Sequence, residues 1–84
     1  MQITFKLFAS LGDHLPASVR PANEMPLTVT DGATIAQVIA PFALPPQLVH
    51  LVLVNGKYIA PAQRDSHALQ EGDVLAIWPP IAGG

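Results

Sequence analysis

The stretch LVLVNGKYI, residues 51–59, limits what this chain can fold into more than any other. Two β-prone runs flank Asn55-Gly56, the residue pair that best tolerates the positive φ angles of a two-residue hairpin turn. An antiparallel hairpin is therefore expected here, and a lone hairpin is not stable in water. The rest of the chain has to supply further strands and an apolar cover.

Further strand-like runs are present. In QITFKLF, residues 2–8, Ile3, Phe5 and Leu7 alternate with Gln2, Thr4 and Lys6, as a half-buried strand requires. LTVT at 27–30 reads as a second short strand with Leu27 and Val29 inward, and VLAIW at 74–78 as the last. Pro79 stops that strand, because proline cannot donate to a central ladder. Residues 9–25 lose the period and collect Gly12, Pro16, Pro21 and Asn23, which predicts a long loop with at most a turn of helix. Residues 60–73 read the same way, ending in the turn Glu71-Gly72-Asp73.

One segment has helical spacing. Asp31-Gly32 makes a turn, Thr34 and Gln37 form a capping box, and Ile35, Val38, Ile39 and Phe42 line one face. Pro41 limits this helix, and Pro45-Pro46 end it. The order strand, strand, helix, strand, strand, strand predicts an α+β fold, with a mixed four- to five-stranded sheet packed on one short helix. The domain is expected over 1–78, followed by a flexible tail over 79–84.

The central strands are apolar on both faces. Leu75 and Ile77 oppose Val74, Ala76 and Trp78; Val52 and Val54 oppose Leu51 and Leu53. A sheet with one wet face is normally polar on that side. Leu51, Leu53, Ala76 and Trp78, with Phe8, are therefore expected to form an exposed docking patch, since such patches mark interaction sites and Trp is a common anchor in them. The alternative is that the 9–25 loop folds over this side. With only 12% of the 84 residues charged, few solubilising groups dilute the patch.

Other function classes find little support. The net charge is −2, and Lys6, Arg20, Lys57 and Arg64 are scattered, with no basic stripe for nucleic acid. Lys57 and Arg64 read as solvated surface. No apolar run approaches a membrane span, and no signal-peptide pattern precedes the first strand, so a cytoplasmic protein is expected. The chain has no cysteine, and His14, His50 and His67 lack metal-ligand spacing, so no metal is expected. Asp65-Ser66-His67 holds triad-type residues, but sequence neighbours rarely meet in triad geometry.

The chain ends in PPIAGG. Two terminal glycines occur by chance about once in 200 chains, so their weight comes from context. The strand order, D-G-A-T at 31–34, V-N-G-K-Y at 54–58, L-Q-E-G-D at 69–73 and A-I-W-P-P-I-A-G-G at 76–84 together resemble the MoaD/ThiS family of ubiquitin-like sulfur carriers. The resemblance covers nearly the whole chain, although the 9–25 loop is longer, and the helix shorter, than is common there. The double proline is most similar to the small, sulfur-donating subunit of molybdopterin synthase.

This resemblance implies a ubiquitin-like β-grasp and a carrier without catalytic side chains or a bound cofactor. The Gly84 carboxylate would be adenylated by a ubiquitin-activating-type partner enzyme using ATP, become a thiocarboxylate, and donate its sulfur. The expected destination is molybdopterin, with a large synthase subunit as second partner. Thiazole synthesis and tRNA thiolation are alternative pathways. A protein modifier and an inert interaction module are alternatives of other classes. Gly83 lacks a Cβ and can thread a narrow channel. Pro79, Pro80, Ile81 and Ala82 would contact the partner along the way, since six extended residues reach up to ~20 Å.

Overall fold

A computed structural model describes residues 1–80; Ile81, Ala82, Gly83 and Gly84 lie outside the described residues. Strands β1 (Gln2–Leu7), β2 (Glu24–Thr28), β3 (Leu51–Val54), β4 (Lys57–Tyr58) and β5 (Val74–Trp78) form one mixed sheet in the order β2-β1-β5-β3-β4. The central β1–β5 pair is parallel, and the other pairs are antiparallel. A short α-helix, α1 (Ile35–Ile39), covers one face. This is the predicted β-grasp.

The alternation read from the sequence decides the core. Ile3, Phe5 and Leu7 of β1, Leu75 and Ile77 of β5, and Val52 and Val54 of β3 are buried together with Ile35 and Val38 of α1. Register aligns them, with Phe5 opposite Leu75, and Ile77 opposite both Leu7 and Val52. The Phe42 ring packs 4.7 Å from that of Phe5.

Local signals hold where their chemistry is short-range. The Thr34 hydroxyl accepts the Gln37 N–H at 3.2 Å, and the Gln37 side chain accepts the Thr34 N–H at 2.9 Å, a complete capping box. Asn55 and Gly56 adopt φ of 52° and 82°, the two positive angles a tight hairpin turn needs. Asp73 serves its turn by accepting the Gln70 N–H, and it also binds the Asn55 side-chain amide at 2.9 Å.

Two expectations are corrected. The second strand spans 24–28 rather than 27–30, pairing Glu24 with Lys6 and Thr28 with Gln2. Pro26 lies inside it, which looks forbidden until β2 is seen to be an edge strand, where one backbone N–H has no ladder partner to lose. Residues 9–22 are not loop but two 3-10 helices, Ala9–His14 and Ala17–Ala22. Leu11 and Leu15 from this segment are fully buried in the core, so it plugs the core instead of covering the opposite face. Arg20 fastens it by donating from Nε to the Leu15 carbonyl (2.8 Å) and from Nη2 to the Asp13 carbonyl (3.0 Å). Among the described residues, no helix is long and apolar enough to cross a membrane.

Candidate functional site: the open sheet face and the root of the tail

The face of the sheet away from α1 carries the side chains that alternate with the core. On β5 these are Val74, Ala76 and Trp78; on β3, Leu51 and Leu53; on β1, Thr4 and Lys6. Pairing sets them in rows. Leu51 lies opposite Trp78, and Leu53 lies between Ala76 and Tyr58. Lys6 lies on the other side of Ala76 and pairs with Glu24 at 3.8 Å, forming a polar rim. That ion pair is open to solvent and adds little stability.

Phe8 follows β1 and stacks on Trp78, with ring centroids 3.8 Å apart and planes within 5°. The two rings act as one aromatic plate. Trp78 nevertheless remains 39% exposed, and Tyr58 57%; these are the exposed large hydrophobics among the described residues. Phe8, Leu51, Leu53 and Ala76 are half-buried, and none belongs to the core cluster or packs against it. The structure thus brings together all five residues that the strand periods assigned to a patch.

Tyr58 and Val74 also belong to this face. Tyr58 is readable in retrospect, because a two-residue turn at 55–56 pairs 54 with 57 and 53 with 58. The patch adjoins the root of the tail. The Phe8 N–H donates to the Ile77 carbonyl at 3.1 Å and the His50 N–H to the Trp78 carbonyl at 3.2 Å, so both flanking strands hold the end of β5. Pro80 beyond it is exposed. Pro79, between Trp78 and that residue, is buried. The remaining tail positions Ile81, Ala82, Gly83 and Gly84 fall outside the described residues.

Nothing else among the described residues gathers chemistry. Among the described residues, no three His, Cys, Asp or Glu side chains come together to hold a metal. The Ser66 hydroxyl donates to the Gln63 carbonyl of its own turn, so Asp65-Ser66-His67 is a loop. A shallow hollow lined by Lys57, His67 and Asp73 sits beside the start of β5, the far end of that strand from Trp78. Arg64, which reads from sequence as solvated surface, is half-buried and turned onto backbone carbonyls.

Comparison with known proteins fits this architecture. The chain resembles SAMP1 from Haloferax volcanii at 26% identity and a TM-score of 0.65, with all of both chains covered. The thiamine biosynthesis protein ThiS from Geobacter metallireducens superposes over all of both chains, at 12% identity and a TM-score of 0.65. A chain from the complex of subunits 1 and 2 of the Helicobacter pylori molybdopterin-converting factor also superposes over all of both chains, at 17% identity and a TM-score of 0.62. At these last two identities the likeness speaks for the fold. No curated protein matches the sequence. The family model described as "ThiS family" matches residues 14–84, from the first 3-10 helix through Gly84. The chain therefore belongs to the ThiS family, on the ubiquitin-like β-grasp fold that it shares with ThiS, molybdopterin-converting and SAMP1 proteins.

Proposed function

We propose that this protein is a sulfur carrier whose reactive group is the α-carboxylate of Gly84. The observation that carries the reading is the family match, which extends through the Gly-Gly end. The apolar plate of Phe8 and Trp78 beside the root of that end supports it. A carboxylate is a poor acyl donor, because its leaving group would be oxide. Attack of the Gly84 carboxylate on the α-phosphorus of ATP, with loss of pyrophosphate, gives an acyl-adenylate. A hydrosulfide ion then attacks the carbonyl, AMP departs, and loss of the thioacid proton leaves a thiocarboxylate. ATP and the acid–base groups belong to an adenylating partner in the cytoplasm, where ATP is supplied; the carrier is a tethered reagent.

The sulfur acceptor we favour is the molybdopterin precursor, delivered on a larger synthase subunit. The Pro79-Pro80 pair before the tail supports this choice, as does the likeness in fold to a molybdopterin-converting factor captured as a complex of its two subunits. Thiazole or tRNA thiolation would use the same carrier chemistry. Co-expression with an adenylating enzyme and a sulfur source is expected to add the oxygen-to-sulfur mass difference to the C-terminal peptide. A plain carboxylate, under conditions that convert a known carrier, overturns the proposal.

A second reading has its own support. The 26% identity is to SAMP1, a small archaeal modifier protein by name. If this chain is a modifier, tagged protein in cells yields a ladder of covalent conjugates that survives thiol treatment, which the carrier reading does not produce. Deleting Gly84 abolishes function under either reading while leaving the circular dichroism spectrum unchanged. Retained function would reduce the protein to an interaction module.

A further inference from the structure

The Trp78 carbonyl closes β5 and is the last backbone acceptor before the prolines. The bond it receives from the His50 N–H is only as firm as the backbone around His50, which lies just before β3. The preceding residues 46–48 form a 3-10 turn, so no ladder stiffens this approach.

Arg64 supplies the stiffness. Its Nη1 donates to the Val49 carbonyl at 2.9 Å, its Nη2 to the His50 carbonyl at 3.1 Å, and its Nε to the Ile59 carbonyl at 3.3 Å. Its own carbonyl accepts the Ala36 N–H of α1 at 3.1 Å. The planar guanidinium therefore ties the entry to β3 to the exit from β4, and the backbone carbonyl of the same residue ties on to the helix. A lysine, with a single nitrogen, cannot reproduce that fork. The same His50 that accepts from Arg64 donates to Trp78.

We propose that Arg64 is a positioning residue for the reactive tail. By locking the His50 peptide, it holds the Trp78 carbonyl and gives the tail a fixed point of departure beside the docking plate. The inference rests on the carrier reading for its consequence. A terminal carbonyl tethered to a fixed origin samples less volume, which raises its effective concentration at a partner's reaction centre. Arg64 acts through His50 and Trp78.

The test compares wild-type protein with Arg64→Gln and Arg64→Lys by amide hydrogen exchange and by steady-state thiocarboxylation with an adenylating enzyme. In Arg64→Gln the His50 amide is expected to exchange about tenfold faster, the size of effect from losing a charge-assisted hydrogen bond. The amides of Val74 and Thr4, at the other end of the β5 region, should keep their wild-type rates. The kcat should fall roughly fivefold or more while KM stays within about twofold, because the plate itself is unaltered. Arg64→Lys, with the charge but no fork, should restore only part of both effects and guards against a Gln variant that folds poorly.

Unchanged exchange at His50, or equal acceleration at Val74 and Thr4, overturns the positioning role. So does full rescue by lysine, or a kcat that does not fall. If the wild-type chain accepts no sulfur at all, the carrier reading fails and takes the effect on transfer with it. The exchange measurement then still decides whether Arg64 holds the end of β5.

Discussion

Asn55 works through both its backbone and its side chain. The backbone sits at φ 52°, a conformation that costs an ordinary L-residue about 1–2 kcal/mol. The side chain donates to Asp73 Oδ1 and accepts the Val74 N–H, each at 2.9 Å, clipping the hairpin turn to the start of β5. The two contributions separate by substitution. Asn55→Gly keeps the backbone and loses the clip, so urea unfolding should show a loss of about 1 kcal/mol. Asn55→Ala loses both, about 2 kcal/mol or more. An alanine variant no worse than the glycine variant would show that the turn carries no backbone demand. Ala43 gives the converse case. It ends a 3-10 turn at φ 51°, where glycine is the usual residue, so Ala43→Gly is expected to raise stability by about 0.5–1 kcal/mol. The neighbouring prolines and the dipeptide Asn55-Gly56 are readable in the sequence, but the demand on Ala43 is not, since alanine carries no left-handed preference.

At the scale of elements, α1 is too short to persist by itself. Five residues cannot recover the cost of nucleation, so its stability comes from the capping box and from burying Ile35 and Val38. Thr34→Ala removes the acceptor for the Gln37 N–H and is expected to cost about 1 kcal/mol in thermal or chemical unfolding. An unchanged midpoint would mean that packing alone holds the helix. This element was legible because a capping box is written within four consecutive residues. The 3-10 segments at 9–22 were not. Their three-residue turns are short, and Leu11 and Leu15 show no period until the core claims them. Strand β2 was displaced for a related reason: Pro26 argues against a strand unless that strand is known to be an edge.

At the scale of the whole molecule, the two faces of one sheet differ in burial. The inner face holds the domain together. Phe5→Ala should remove about 3–5 kcal/mol, a large share of the roughly 5–15 kcal/mol that holds a domain folded, and lower the unfolding midpoint sharply. The outer face is expected to behave oppositely. Trp78→Ala loses a half-open ring and its stack on Phe8, about 1 kcal/mol, so the fold should survive by circular dichroism while binding to an adenylating partner weakens at least tenfold in titration calorimetry. Unweakened binding would remove the plate from the docking surface.

Sidedness separates what the chain spells out from what packing decides. The alternation of β1, β3 and β5, the Asn55-Gly56 turn and the capping box are local patterns, and each determines structure through neighbours in sequence. Which apolar face of the sheet becomes core is not local, because Leu51 and Val52 are equally suited to burial. Only the arrival of α1, Leu11 and Leu15 on one side leaves Leu51, Leu53 and Trp78 open on the other. Arg64 makes the same point with hydrogen bonds. Two of the carbonyls it binds, those of Val49 and His50, are 15 and 14 residues away, and no pattern around residue 64 announces them. Short-range stereochemistry can be read along a chain, whereas burial and long-range hydrogen bonding depend on which segments the finished fold brings together.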